Sequence, residues 1–213
     1  MKKIITTPIA FSDITNLRIG DIFYLSGHLV TGRDDVHHRV VHEGLISPYD
    51  FKDMAILHAG PIVKEGEENI MISIGPTSSI RMEADEAAFI EKTGVRIIIG
   101  KGGMGEKTAE ACKKFGAIHC VFPGGCAVTA ASQVEKIETV YWRELGMPES
   151  LWVMKVKEFG PLIVSIDTEG NNMFVENKRY YAARKEEVMQ PILQNVKGHM
   201  SIEQQEDTKK HKK

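Results

Sequence analysis

Residues 97–116, IIIGKGGMGEKTAEACKKFG, decide the fold class of this chain. The run at residues 97–99 is short and apolar, which is typical of a buried strand. A glycine-rich loop follows it, and residues 106–115 have the composition of a helix that Gly116 would end. A strand that leads through a tight loop into a helix predicts an α/β domain.

The same alternation recurs on both sides of this stretch. Short apolar runs bounded by glycine, proline or charge indicate further strands, and the segments between them indicate helices packed on a sheet. Two of these strands are expected to lie around a Gly160–Pro161 turn. The predicted strands are residues 22–30, 55–58, 70–74, 118–122, 139–142, 152–157 and 162–166, and the further predicted helices are residues 85–93 and 126–133.

The last part of the chain differs in composition from the rest. Residues 177–198 are rich in charge and favour a helix, which Pro191 would disturb. Residues 199–213 are a charge-rich segment that we expect to be a disordered, solvated tail. The sequence therefore predicts one folded domain over residues 1–198 and a tail over residues 199–213.

Composition and charge exclude several classes of protein. The chain has 213 residues, of which 42% are hydrophobic and 26% charged, and its formal net charge is -2. These values predict a globular protein with a core, and the charge gives no reason to expect nucleic acid or an acidic membrane as a partner. No apolar run approaches the roughly 18 residues of a membrane span, and the N-terminus lacks the apolar stretch of a signal peptide. We therefore expect a cytoplasmic protein.

Cysteine usage gives no sign of a metal centre in this chain. An odd count of three, Cys112, Cys120 and Cys126, argues against a disulfide framework. Their spacing fits neither a zinc site nor a ferredoxin-type cluster. Cys126, at a predicted helix start, could be a thiol of lowered pKa, but a small packed residue is the simpler interpretation.

Arg33 lies between a predicted strand and a predicted helix, in the segment TGRDDVHHR. Its planar guanidinium can grip a carboxylate through two hydrogen bonds, with help from nearby helix amides. The aspartates after it, Asp34 and Asp35, are candidates for capping the helix. A surface ion pair between Arg33 and one of these aspartates is the alternative. Of the two adjacent histidines that follow, at most one can point into a given site.

A second strand end, GPTSSIRM at residues 75–82, carries hydroxyl groups and an arginine. Thr77 can offer hydrogen bonds, and Arg81 can offer charge, to an oxyanionic ligand. An ordinary turn in which a serine or threonine caps a helix is the alternative.

The glycine-rich loop nearly reproduces a phosphate-binding loop. That motif needs Gly-x-x-x-x-Gly-Lys-[Ser/Thr], and here Glu106 separates Gly105 from Lys107. The extra residue turns the lysine by about 100° around the helix and puts a carboxylate where phosphate would bind. A P-loop-like nucleotide-binding protein that uses residues 100–108 is therefore a weaker alternative. Lys101, at the end of the strand, still offers a cation to an anionic ligand.

Four candidate residues follow predicted strands of one α/β domain: Arg33, Thr77, Arg81 and Lys101. Ligands of such domains bind at strand ends. Three cations and one hydroxyl group describe a site for a dicarboxylate, provided that they converge.

The segments that carry these residues resemble a known enzyme family. TGRDDVHH resembles the TGRDAAH-like segment of class I fumarases, and GPTSSIRM resembles their GPTT-x-x-RM segment. GKGGMG and ELGMPESLWVMKVKEFGPLIVSIDTEGNN resemble the β subunits of two-subunit, iron–sulfur fumarases and L-tartrate dehydratases. The resemblance covers residues 1–190.

The resemblance implies a fold and a partner. The family's small subunit adopts a swivelling β/β/α fold, and a larger α subunit holds a [4Fe–4S] cluster through its own cysteines. The active site lies between the two subunits. We therefore expect an α subunit as partner, a cluster bound by that subunit and not by this chain, and self-association in an α2β2-type assembly.

The resemblance also implies roles for individual residues. Arg33, Arg81 and Lys101 match residues that contact substrate, the two arginines by binding its carboxylates. Thr77 matches a threonine proposed to act in proton transfer at the substrate carbon. His37 matches the histidine of the TGRDAAH-like segment, and we assign it a supporting catalytic role.

The implied reaction is reversible addition of water to a C4 dicarboxylate, with the open iron of the cluster acting as a Lewis acid. The segment TGRDDVHH favours fumarate hydration to malate. The C-terminal half favours dehydration of L-tartrate to oxaloacetate. A non-catalytic subunit that only assembles with the cluster-bearing partner is a further alternative.

Overall fold

The computed structural model describes residues 2–210, together with the side chains of residues 2–193 and 195. Nine strands and six α-helices follow one another along this part of the chain. The strands are β1 (Ile4–Thr6), β2 (Ile22–Thr31), β3 (Ala55–Leu57), β4 (Ala59–Lys64), β5 (Ile70–Pro76), β6 (Ile97–Gly100), β7 (Ile118–Val121), β8 (Val134–Tyr141) and β9 (Leu151–Ile166). The helices are α1 (Phe11–Ile14), α2 (Asp34–Val41), α3 (Glu83–Thr93), α4 (Glu106–Phe115), α5 (Ala127–Ser132) and α6 (Met173–Lys210), with short 3-10 helices at Ser79–Met82 and Arg143–Leu145.

Seven of these strands form one mixed sheet whose pairings close a ring. Strands β2, β3, β6 and β7 are parallel neighbours in that order. Strand β9 runs antiparallel to β7 and also to β2, so five strands are joined without a gap. Strands β1 and β8 extend the sheet beside β2 and β9, while β4 and β5 form a separate hairpin.

The core is divided between the two faces of the sheet. Successive residues of a strand point to opposite faces, and β6 follows this rule. Ile97 and Ile99 belong to one cluster of buried apolar side chains, which also contains Phe159. Ile98 belongs to the other cluster, which contains Phe89 of α3. The apolar run at residues 97–99 is therefore buried on both sides, as a central parallel strand requires.

The α/β class predicted from the sequence is confirmed, and so are two helix ends. Gly94 and Gly116 follow α3 and α4 with φ angles of 69° and 72°. A side chain with a Cβ atom is disfavoured in this left-handed conformation, which explains why glycine ends both helices.

One prediction for the C-terminal half is wrong. Residues 152–157 and 162–166 are not two strands around a turn but parts of the single strand β9, which pairs with β2 along most of its length. Gly160 lies within this strand. Its backbone N–H and carbonyl bond the side-chain amide of Gln133, at 3.1 and 2.9 Å. These bonds satisfy the backbone at the glycine, so the chain continues as a strand without a reversal.

The predicted helix cap is also wrong. Helix α2 begins after Arg33, and neither Asp34 nor Asp35 caps it, because both lie inside its first turn. Acidic groups still stabilise a helix there, since the N-terminal end carries a partial positive charge. Two strands were not predicted: β1 has only three residues, and β4 contains Pro61, which is unusual in a strand.

Residues 174–213 form a second unit, which we describe by itself. Helix α6 continues through Pro191 to Lys210. The predicted boundary at residue 198 falls inside this helix. Residues 211–213 of the predicted tail lie outside the described residues, and the disorder of the tail stays a prediction. Among the described residues, no helix is both long and apolar enough to cross a membrane.

Candidate functional site

The topology brings the predicted site residues to one edge of the sheet. Strands β2, β3, β6 and β7 are parallel, so their C-terminal ends lie at the same edge. Arg33 follows β2, His58 follows β3 and Lys101 follows β6. Thr77 follows β5, and Arg81 lies in the 3-10 helix directly after it.

Backbone hydrogen bonds fix the Thr77 segment against the end of β6. The N–H of Thr77 donates to the carbonyl of His58 at 2.6 Å, and the N–H of Lys101 donates to the carbonyl of Thr77 at 3.0 Å. The N–H of Ser79 then donates to the carbonyl of Lys101 at 3.0 Å. Residues Ser78 and Lys101 thus form an isolated parallel bridge, and the hydroxyl-rich segment extends the sheet at this edge.

The two arginines converge on one aspartate. A terminal nitrogen of Arg81 lies 2.8 Å from Oδ2 of Asp34, and Nε of Arg33 lies 3.7 Å from the same oxygen. Nε of Arg33 also makes a closer contact with Glu149. The sequence left open whether Arg33 would pair with a neighbouring aspartate, and in the structure it does. The pairing with Asp34 brings both guanidinium groups to one place.

Gly60 of β4 makes room for the Arg33 guanidinium. A Cβ atom placed on Gly60 would lie 2.7 Å from a terminal nitrogen of Arg33 and 3.0 Å from Cβ of Pro148. Gly60 pairs with Gly75 of β5, two residues before Thr77. The Arg33 side chain therefore lies beside the hairpin that carries the Thr77 segment.

Lys101 is the cation of this edge that remains without an acidic partner among the described residues. Its side chain is exposed, and its stem packs near Gly124, where an added Cβ atom would lie 3.3 Å from Cδ of the lysine. Arg33, Arg81 and Lys101 thus lie at the same edge as Thr77, which is half-buried. The arrangement can bind a ligand with two negative groups.

Beneath this edge lies a buried cluster of His37, His58 and Glu86. Nε2 of His37 lies 3.3 Å from Oε2 of Glu86, and Nε2 of His58 lies 3.1 Å from the same oxygen. All three side chains are fully buried. These contacts are ion pairs and not well-aligned hydrogen bonds. Neither Nε2 atom and neither oxygen of Glu86 has a partner with hydrogen-bond geometry.

The three groups of the cluster differ in the direction in which their pKa values are shifted. Burial lowers the pKa of His37, but the Glu86 carboxylate outweighs burial and raises it overall. Burial lowers the pKa of His58, and there Glu86 does not restore it. Burial raises the pKa of Glu86, yet the two imidazoles bring it well below its usual range. These directions favour a proton on His37 over one on His58, opposite an ionised Glu86.

A chain of buried hydroxyl and imidazole groups continues from His58. Nδ1 of His58 lies 3.1 Å from Oγ of Ser79, which lies 3.0 Å from Nε2 of His119. Nδ1 of His119 lies 2.6 Å from Oγ of Ser165. Burial, and then the neighbouring His58, lower the pKa of His119 to about 3. The chain links the Thr77 segment to strands β7 and β9.

The sequence reasoning missed this network apart from His37. His58 and His119 each sit in or directly after an apolar run, which was a usable signal of buried imidazoles needing partners. The position of His37 also restricts its supporting role. It is fully buried, so it acts through the residues that it contacts and does not meet a ligand at the exposed edge.

The glycine-rich loop does not present a free phosphate site. A carboxylate oxygen of Glu83 accepts from the backbone N–H of Gly105 at 2.6 Å and from the hydroxyl of Thr108 at 2.7 Å. The carboxylate thus occupies the N-terminal end of α4, where a phosphate would bind in a P-loop. This contact opposes the nucleotide-binding alternative.

The cysteines do not fit an iron–sulfur cluster. Cys112 and Cys120 are fully buried, and burial raises the pKa of both thiols. Cluster ligands must be thiolates, and burial opposes their formation. Among the described residues, the group of His37, His58 and Glu86 is the one with metal-ligand types close together, and it contains no cysteine.

Comparison with known proteins identifies the family to which this chain belongs. The family model described as "Fumarase C-terminus" matches residues 2–177. That match bears out the expected fold, the swivelling β/β/α domain of hydro-lyase β subunits. The L(+)-tartrate dehydratase subunit beta of Escherichia coli strain K12 is 57% identical over 197 residues, which cover 92% of this chain and 98% of that protein.

Two more distant relatives extend the comparison. The "Putative L(+)-tartrate dehydratase subunit beta" of Methanocaldococcus jannaschii is 42% identical over 176 residues, 79% of this chain and 90% of that protein. The "Putative fumarate hydratase class I" of Geobacillus stearothermophilus is 32% identical over 195 residues, 90% of this chain but 37% of that protein. The chain therefore matches nearly whole subunits named beta and one part of a longer fumarate hydratase.

Proposed function

The chain belongs to the fumarase C-terminus family, and we propose that it is the beta subunit of an L-tartrate dehydratase. That it is a hydro-lyase beta subunit follows from relatives that bear such names over nearly their whole length. The choice of L-tartrate is supported by the higher identity to proteins named for that substrate. Fumarate is the second candidate, because one relative is named for it.

A beta subunit implies an alpha subunit as partner. We propose that this partner holds the [4Fe–4S] cluster, and that the active site lies between the two subunits in an α2β2-type assembly. The burial of Cys112 and Cys120, which leaves Cys126 as the one partly exposed cysteine among the described residues, supports the first part of the proposal. Arg81 and Lys101 support the second, because they are exposed at the edge where a partner would complete the site.

The proposed substrate-binding groups are Arg33, Arg81 and Lys101. A C4 dicarboxylate carries two negative charges, and three cations around it also stabilise the further charge that develops when its carbon loses a proton. In the free chain the two arginines are oriented by Asp34 and Glu149. A substrate carboxylate would share or replace these partners.

We assign proton transfer at the substrate carbon to Thr77. A threonine hydroxyl is a weak base at its ordinary pKa, so the role needs cations that stabilise its ionised form. Lys101, which is bonded to Thr77 through the backbone, and the neighbouring arginine pair provide such a setting. Thr77 transfers the proton while the cations hold the carboxylates.

Two alternatives lead to different experiments. A nucleotide-binding protein would bind ATP through residues 100–108, and the Glu83 carboxylate at the start of α4 opposes this. A non-catalytic assembly subunit would tolerate changes at Arg81 without loss of activity in the complex. Three free cysteines fit a reducing compartment, and we extend the proposal to a cytoplasmic location.

The observation that carries the proposal is the convergence of Arg33 and Arg81 on Asp34, at the same edge as Thr77 and Lys101. The test is anaerobic co-purification with the alpha subunit, followed by separate assays of L-tartrate dehydration and fumarate hydration. We expect a stable complex that forms oxaloacetate from L-tartrate. Activity with fumarate alone would reassign the substrate, and activity with neither would contradict the proposal.

A further inference from the structure

We propose that Glu86 is a positioning residue that, through His37 and His58, holds the Arg33 turn and the Thr77 segment in fixed relation. The inference rests on the proposed function, because it concerns how that site is kept in shape. Glu86 lies on α3, whereas Arg33 precedes α2 and Thr77 follows β5. The Glu86 carboxylate contacts His37, on the helix that follows Arg33, and also His58, whose backbone carbonyl binds Thr77.

The first path runs to the Arg33 turn. Nδ1 of His37 lies 2.9 Å from the carbonyl oxygen of Arg33, and the backbone N–H of His37 donates to the same oxygen at 3.0 Å. A carbonyl only accepts hydrogen bonds, so Nδ1 carries a proton. The opposite nitrogen of the ring faces Glu86. The carboxylate therefore orients the imidazole that fixes the backbone of Arg33.

The second path runs to Thr77 and Lys101. The carbonyl of His58 accepts from the N–H of Thr77, and its imidazole contacts both Glu86 and Ser79. Ser79 in turn donates its N–H to Lys101. A shift of His58 would therefore displace the Thr77 segment at Thr77 and at Ser79.

One proton assignment fits the contacts between the imidazole and hydroxyl groups of the network. Nε2 of His58 faces a carboxylate, so it carries the proton, and Nδ1 accepts from the Ser79 hydroxyl. Oγ of Ser79 then accepts from Nε2 of His119, and the hydroxyl of Ser165 shares its one proton between Nδ1 of His119, 2.6 Å away, and the His119 carbonyl, 3.1 Å away. His37 alone carries two ring protons. Its positive charge balances Glu86, so the buried cluster is neutral overall.

The same trio has the donor types of a metal site, and a proton on His37 is the simpler source of its balancing charge. Glu86 is the one acid in contact with both imidazoles, so a divalent ion there would leave a buried positive charge, whereas a proton on His37 leaves none. Closed structural zinc sites also take four protein donors, and the described residues offer three. Other titratable groups that interact with the cluster are Asp34, Asp85, Cys112 and His119.

The first test measures the protonation of the cluster in the wild-type chain. Nitrogen NMR of histidine side chains in the full chain at pH 7 should show His37 with both ring nitrogens protonated and His58 neutral, protonated at Nε2. Metal analysis of the same sample should find no stoichiometric divalent ion. A neutral His37, or one zinc ion per chain, would overturn the proposal.

The second test reads the consequence for catalysis. Glu86→Gln keeps the shape of the side chain and removes its charge, and Glu91→Gln, at an exposed position, is the control on the same helix. In the assembled complex we expect Glu86→Gln to lower kcat/KM by at least about tenfold, with KM raised and kcat lowered, since both a binding group and Thr77 are displaced. Glu91→Gln should stay within about threefold of wild type, because Glu91 is exposed and the losses caused by surface substitutions are small.

The two tests separate this inference from the proposed function. Lys101→Met in the same complex reports on the site itself. If Lys101→Met loses activity while Glu86→Gln matches Glu91→Gln, the positioning role is wrong and the site stands. If Lys101→Met is as active as wild type, the proposed function of this edge is wrong whatever the charge of His37.

Discussion

The backbone N–H of Lys101 donates a hydrogen bond to the carbonyl of Thr77 at 3.0 Å. The two residues are 24 positions apart in the sequence and follow different strands. The bond holds the backbones of the two residues side by side at an edge that also carries Arg33 and Arg81. The predictions below test whether this edge binds a dicarboxylate and what keeps it in place.

Arg81→Lys should impair catalysis although it keeps the positive charge. Lysine cannot form the planar two-bond grip of a guanidinium on a carboxylate. We expect a loss of about 2–4 kcal/mol of transition-state stabilisation, or about thirtyfold to a thousandfold in kcat/KM, measured on the assembled complex. Arg143→Lys, at an exposed ion pair with Glu65, is the matched control. Equal activity of the two variants would remove Arg81 from the site.

Gly60→Ala should displace the Arg33 guanidinium. The added Cβ atom would lie 2.7 Å from a terminal nitrogen of Arg33, which is too close for both to stay. We expect KM to rise by about tenfold to a hundredfold, the scale of a small misplacement of a binding group. Gly66→Ala, in the loop of the same hairpin, meets nothing closer than 3.5 Å and serves as control. An unchanged KM in Gly60→Ala would mean that Arg33 does not bind substrate.

His119→Gln should change how stability depends on pH. The folded chain keeps the pKa of His119 at about 3, below the value of the unfolded chain, so the unfolded state binds the proton first. His119 therefore contributes stability above about pH 6.5 that is lost as pH falls toward 3, at up to about 1.4 kcal/mol per pH unit.

The measurement is urea unfolding of both proteins between pH 7 and pH 4.5. The glutamine variant should be less stable at pH 7, by about 1–3 kcal/mol for a disturbed buried hydrogen-bond pair, and the difference should shrink as pH falls. The raised pKa of His37 makes stability depend on pH in the opposite direction. His37 is present in both proteins, so its contribution cancels in the difference between their stabilities. A constant difference across the range would show that His119 titrates normally.

Purified without a partner, the chain should be colourless and contain no stoichiometric iron. Cys112 and Cys120 are fully buried, and burial raises the pKa of both thiols, which disfavours the thiolates that a cluster needs. Iron analysis and the visible absorption of the anaerobic sample check this. A [4Fe–4S] spectrum from the chain alone would contradict the assignment of the cluster to the alpha subunit.

The sequence predicted the local units of this fold well because their signals are local. The run at residues 97–99 and the glycines after α3 and α4 specify a strand and two helix ends through neighbouring residues. Strand β9 was divided wrongly, since what carries it through Gly160 is the side chain of Gln133, 27 residues away. Local patterns cannot report such a contact.

The same distinction applies to the candidate site. Arg33, Thr77, Arg81 and Lys101 were predicted because each follows a strand. Arg33 and Lys101 meet because the ends of parallel strands lie at one edge. Thr77 and Arg81 follow the separate hairpin, and backbone hydrogen bonds bring their segment to the same edge. The network beneath them was missed, because His58, Glu86 and His119 come from β3, α3 and β7 and meet only through tertiary packing. A buried imidazole signals that it needs a partner but does not identify one.

The measurement that tests the central claim most directly is a comparison of Lys101→Met with Lys107→Met in the assembled complex. Both lysines are exposed and lie at opposite ends of the glycine-rich loop. If the edge binds a dicarboxylate, Lys101→Met lowers kcat/KM for L-tartrate by about thirtyfold to a thousandfold. Lys107→Met then stays within about twofold, as expected of a surface change. The opposite ranking, with Lys107 essential and Lys101 dispensable, would contradict the assignment and return the loop to nucleotide chemistry.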